Sequence, residues 1–113
     1  MNNIITKENI KIESLIYEVR GKQVMLDSDL ARLYECANGT KTVNQAVKRN
    51  YSRFPEDFYF QLTEDELLKL QSQIGTANFN NMSRTLPYAF TEEGAAMLAT
   101  VLRTRYHQKW VLQ

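Results

Sequence analysis

Between residues 41 and 53 the chain places four cations, Lys41, Lys48, Arg49 and Arg53, among Thr42, Asn44, Gln45 and Ser52, with no Asp or Glu in the stretch. Lysine and arginine heads neutralise phosphate oxygens, and Asn, Gln and Arg carry donors and acceptors that match base edges. The chemistry these residues suit is non-covalent recognition of a polyanion. Residues for covalent chemistry are scarce. Asp27/Asp29 and Glu92/Glu93 are carboxylate pairs, but each falls in the first turn of an expected helix, where the positive dipole end and free amides account for them. His107 has no acid beside it, and Cys36 has no basic neighbour in sequence closer than Arg32. No glycine-rich phosphate loop, nucleophile elbow or metal-ligand spacing occurs, and one His with one Cys cannot build a zinc site. No catalytic residue, metal or cofactor is expected.

The elements that must hold the cationic stretch can be read from period and punctuation. Residues 15–20 and 23–26 are short strand-like runs around Arg20-Gly21-Lys22, which predicts a β-hairpin with Leu15, Tyr17 and Val19 on one face. Asp27 is expected to cap a short helix from Ser28, its apolar face made by Leu30, Leu33 and Tyr34 and its end set by Asn38-Gly39. Thr40 or Thr42 is expected to cap the next helix, running to about residue 51 or 52. At 100° per residue Val43, Ala46, Val47, Tyr51 and Phe54 share one sector. Lys41, Gln45, Lys48, Arg49 and Ser52 fall opposite, with Asn44 on the flank, while Asn50 sits on the apolar side as a structural hydrogen-bonding residue. Two helices joined by about five residues, the second basic outside and apolar inside, fit a helix-turn-helix arrangement, in which the second helix (about residues 42–52) would lie in a major groove. An ordinary solvated helix face is the alternative.

Beyond Pro55, residues 57–62 alternate like a strand with Phe58, Phe60 and Leu62 inward. Thr63-Glu64-Asp65-Glu66 has the spacing of a capping box, opening a helix that carries Leu67, Leu68 and Leu70 and fades near Gln73. Residues 74–85 read as an exposed polar loop. Residues 86–90 read as a return strand pairing with 58–62, with Pro87 favouring an edge position. This second hairpin with its helical insert resembles a wing, and Asn78, Asn80, Asn81 and Arg84 in its loop could reach a neighbouring groove. Thr91 is expected to cap a central buried helix bearing Ala95, Ala96, Met97, Leu98, Val101 and Leu102. The whole reads as a small α+β single domain: an N-terminal β-hairpin, a helix-turn-helix-like pair, the wing-like second hairpin and a buried C-terminal helix.

Composition agrees with one domain: 113 residues, 43% hydrophobic and 24% charged, with 4 Gly and 2 Pro. No apolar run suits a bilayer span or a signal core. A lone cysteine excludes an internal disulfide framework and points to a reducing, cytoplasmic setting. The net charge of +1 conceals segregation, because the +4 stretch is followed directly by Glu56, Asp57, Glu64, Asp65 and Glu66, a local −5. If the acidic residues 56–66 lie beside the basic helix, they offer an alternative, a surface for another protein or a second copy of the chain.

The stretches RGKQVMLDSDLARLY, TKTVNQAVKRNYSRFPEDFYFQLTEDE and LPYAFTEEGAAML together resemble the phage-type "ORF-six" amino-terminal DNA-binding domain, a relative of the KilA-N domain. The resemblance covers about residues 15–102, leaving 1–14 as an arm and 103–113 as a tail that departs from the family's usual continuation. It implies a double-stranded DNA-binding module of phage or prophage type, often followed by a separate C-terminal domain in transcription regulators and antirepressor-like proteins. The family's Asn-x3-Lys-Arg-Asn run falls on Asn44, Lys48, Arg49 and Asn50, and its Arg-Phe-Pro-x-Asp-Phe on Arg53, Phe54, Pro55, Asp57 and Phe58. The expected DNA-contacting set is Lys41, Thr42, Asn44, Gln45, Lys48, Arg49, Ser52, Arg53 and Arg84, with homodimers reading paired half-sites as a further expectation.

Overall fold

Arg20 and Gly21 both have positive φ, 57° and 75°. That pair of angles makes the two-residue turn whose handedness matches the twist of the strands it joins. In the computed structural model, which describes residues 12–74 and 85–103, the turn links β1 (Tyr17–Val19) to β2 (Lys22–Leu26) as an antiparallel hairpin. The expected hairpin is present, but its first strand is shorter than expected. Leu15 belongs instead to a single 3-10 turn, Ile12–Leu15.

The next helix, α1 (Asp27–Leu33), starts one residue earlier than expected, and its N-cap is Leu26 with no side-chain bond. The Asp27 carboxylate is used elsewhere. It is buried and accepts the backbone N–H of Tyr88 at 3.2 Å, which extends the sheet by one contact. α1 also ends before Asn38-Gly39. Glu35 takes the left-handed conformation (φ 58°), its N–H reaching the Arg32 carbonyl and that of Cys36 the Ala31 carbonyl at 2.8 Å. These two bonds form a Schellman ending built without glycine. Six residues then lead to α2 (Thr40–Arg49), whose N-cap is Gly39 at φ 60°; neither Thr40 nor Thr42 caps it by its side chain.

After a 3-10 turn at Tyr51–Arg53, β3 (Tyr59–Gln61) leads to α3 (Glu64–Ile74). The capping box forms as expected: the Thr63 N–H donates to Glu66 Oε1 at 2.8 Å and the Glu66 N–H to Thr63 Oγ1 at 3.2 Å. β4 (Tyr88–Thr91) follows, then α4 (Glu92–Leu102), capped by Thr91 Oγ1 accepting from the Gly94 N–H at 3.2 Å.

β4 pairs with β3 as expected, but it also pairs with β2, so the two hairpins merge into one antiparallel sheet of order β1-β2-β4-β3. The return strand is therefore interior, not an edge. Pro87 is tolerated because it stands just ahead of β4, where its carbonyl accepts the Leu62 N–H at 2.9 Å and no ladder donor is needed.

Alternation along the interior strand sends side chains to two cores. Met25, Phe90 and Tyr59 are cross-strand partners and face α1, α2 and α4. Tyr59 stacks on Phe90 and on Tyr88, ring centroids 5.5 Å apart in each case, and Phe54 meets Tyr59 and Phe90 edge-on. Val24, Leu26, Ala89, Phe60 and Leu62 face the other way, against Leu70 of α3. Leu68 of α3 stays 60% exposed, so only part of the expected apolar face is covered by described residues. The result is α+β, with three helices on one face of the sheet and one on the other. No described helix is long and apolar enough to cross a membrane.

Candidate nucleic-acid interface

Val43, Ala46 and Val47 are buried and press α2 against α1 and α4. Their i, i+3, i+4 spacing fixes the rotation of the helix and so decides what its other face shows. Lys41, Asn44, Gln45, Lys48 and Arg49 are all exposed, and Thr42 is half-buried at the margin. Lys48 and Arg49 lie in the last turn, where their charge complements the negative end of the helix dipole.

The helix stops at Arg49 rather than running on to residue 51 or 52. Asn50 leaves helical geometry (φ −125°, ψ 38°), and its Nδ2 donates to the Ala46 carbonyl at 2.8 Å, the structural role expected of it. The chain then winds as the tighter 3-10 turn, which changes the rotation of everything after it. Continued α-helical winding would carry Tyr51 into the buried sector. Instead Tyr51 is 71% exposed, and Phe54 alone enters the core, 3% exposed. Tyr51 is the position where the assignment of faces from sequence fails. Ser52 and Arg53, on the same turn, are exposed as expected. The phenol of Tyr59 is pushed up, chiefly by burial and further by the Tyr88 and Tyr51 hydroxyls.

Among the described residues, Lys41, Lys48, Arg49 and Arg53 form no ion pair. The acidic run does not lie against them as expected. Glu64, Asp65 and Glu66 open α3 on the opposite side of the sheet, and Glu66 is engaged by Arg20, with Nε to Oε2 at 2.7 Å and Nη2 to Oε1 at 3.1 Å. That contact holds the Glu66 carboxyl down at about 2. The same guanidinium lies 4.1 Å over the Phe60 ring and donates to the Gln61 carbonyl. Glu56 and Asp57 remain in the exposed link before β3. An open cleft of about 500 Å³ beside the start of α4 is lined by Asp57, Glu92 and Glu93 with Lys22, a balance unsuited to phosphate. Arg84, with Asn78, Asn80 and Asn81, lies outside the described residues.

The structure thus gathers eight of the nine expected contact residues along α2 and the turn after it, seven exposed and Thr42 half-buried. Residues 14–101, which hold every element from β1 to nearly the end of α4, match the profile of the ORF6N domain, a phage-type amino-terminal domain. The chain belongs to the ORF6N family. This ORF6N match includes the whole cationic face together with the apolar residues beneath it. No curated protein and no solved structure matches the chain.

Proposed function

We propose that this ORF6N domain binds double-stranded DNA by placing the outer face of α2 in the major groove, with α1 bracing it from behind as in a helix-turn-helix. The observation that carries the reading is the set Lys41, Lys48, Arg49 and Arg53, exposed on one ridge and unpaired among the described residues, held outward by buried Val43, Ala46 and Val47. Ten residues at 1.5 Å rise give α2 (Thr40–Arg49) a length of about 15 Å, and the major groove is about 12 Å wide. Lys41, Lys48 and Arg53 take phosphates in this reading, while Asn44, Gln45 and Arg49 meet base edges. Thr42 and Ser52 contribute hydroxyls at either end.

The reading assigns no catalysis. Asp27 is committed to the Tyr88 N–H, and burial pushes the Cys36 thiol up, away from the thiolate a nucleophile needs. For the protein-interaction alternative, Glu66 is taken by Arg20 and α3 lies across the sheet from α2, while Glu56, Asp57, Glu64 and Asp65 stay exposed.

Salt dependence tests the reading. With about three to five phosphates neutralised, log affinity for duplex DNA should fall against log salt with a slope of roughly −3 to −5. Retention on DNA that hardly responds to salt would remove the proposal.

A further inference from the structure

Among the described residues Tyr51 is the largest departure from expected burial: an aromatic ring 71% exposed where helical period would have buried it. The exposure follows from a specific local device. Asn50 breaks α2 and satisfies the Ala46 carbonyl with its own amide, and the 3-10 turn that follows rotates Tyr51 out as Phe54 goes in. The neighbours of the exposed ring in sequence are Lys48, Arg49 and Arg53, all exposed, with no acid between residues 41 and 53. A ring beside unpaired cations is matched by a partner that offers negative oxygens next to apolar sugar and base surface. Duplex DNA has that pattern at the edge of its major groove.

Resting on the DNA-binding reading above, we infer that the Tyr51 ring is a further DNA contact, lying against the deoxyribose–phosphate backbone where the C-terminal end of α2 leaves the groove. The ring supplies apolar contact that the flanking cations cannot. It also limits how far α2 can slide along the groove, since the turn at Tyr51–Arg53 must meet the backbone together with the helix.

The test uses the full chain and a labelled random-sequence duplex, followed by anisotropy over a salt series. Tyr51→Ala should weaken binding about tenfold, the scale of one lost aromatic contact, with an unchanged salt slope and melting temperature. Tyr51→Phe should stay within about twofold of the original chain, because the ring is kept. Lys48→Ala with Arg49→Ala is measured in parallel and should lose affinity with a shallower slope. If that double variant weakens while Tyr51→Ala binds as the original chain does, the Tyr51 contact is wrong and the groove reading stands. If Tyr51→Phe is as weak as Tyr51→Ala, a hydroxyl contact replaces the ring contact and the inference is overturned. A lower melting temperature in Tyr51→Ala would make the ring a packing residue and also overturn it. If the original chain shows no salt-sensitive binding at all, the DNA reading itself has failed.

Discussion

Gly94 of α4 lies directly on the Phe58 carbonyl: a β-carbon there would overlap the carbonyl oxygen and come within 2.8 Å of the carbonyl carbon. The same oxygen accepts the Thr91 N–H at 3.0 Å and Thr91 Oγ1 at 3.2 Å, so one backbone group anchors the start of α4 to the entry of β3. Because the obstruction is backbone and not a side-chain tip, it cannot swing aside. Gly94→Ala is expected to lower stability by about 2–3 kcal/mol despite alanine's better helix propensity. Urea unfolding of the two chains measures the difference, and an unchanged midpoint would contradict the close approach.

The two sides of α2 should separate in experiment. Lys48→Ala with Arg49→Ala removes only exposed groups and should leave stability within about 0.5 kcal/mol while weakening DNA binding. Val47→Asp places a charge at a position 4% exposed among apolar neighbours and should unfold the domain. Circular dichroism melts of both variants decide the matter. Equal losses would mean that the helix is rotated.

Glu66 serves two partners at once, closing the capping box with Thr63 and receiving the Arg20 guanidinium. Glu66→Ala should cost about 1–2 kcal/mol, the sum of a lost cap and a partly exposed ion pair. Glu66→Gln, which can still accept the Thr63 N–H, should lose less. High salt should narrow the gap between the original chain and Glu66→Gln, and a thermal-melt series at several ionic strengths reads this directly.

Asp29 carries a pH signature. Burial lifts its carboxyl to about 6 and Asp27 adds to the rise, while Arg32 opposes it. A carboxyl whose folded-state value exceeds its unfolded one binds its proton more tightly when folded. Its stabilising effect is therefore complete below about pH 4 and is lost as pH rises toward 6. Asp27, also raised by burial, acts in the same direction, whereas Glu66 acts below its ordinary 4.5 and with opposite sign. Asp29→Asn should be more stable than the original chain at pH 7 by about 2 kcal/mol, with the gain shrinking toward pH 4. A pH-independent difference would show that folding does not shift the carboxyl.

Features settled by neighbours in sequence were legible in the chain. The Thr63–Glu66 box, the Thr91 cap and the turn at Gly21 each rest on contacts within a few residues, and the triplet Val43, Ala46 and Val47 shows its shared face by spacing alone. The positions that escaped depend on events a periodic pattern does not record. A helical wheel turns Tyr51 inward because it assumes unbroken winding, and a single Asn50 resets the phase. Asp27 had the residue type and place of a cap, but the N–H that claims it belongs to Tyr88, 61 positions away. Strand order escaped too. Local alternation marks residues 86–90 as extended without saying that they pair on both sides, and so the apparent proximity of acidic and basic runs along the chain became separation across a sheet. Gly94 carried no local sign of its tight contact, being one small residue among Ala95 and Ala96.

Of the four described strands, the one that joins the two halves of the sheet is the last to be synthesised. Until residues 88–91 emerge from the ribosome, β2 and β3 have no common neighbour, and a two-stranded hairpin alone is marginal in water. Cotranslational folding of this domain should therefore be one late step, in which some seventy residues from β1 onward wait on β4 and on α4 behind it, and a nascent chain halted before Tyr88 leaves the β2 and β3 edges that β4 covers open to aggregation.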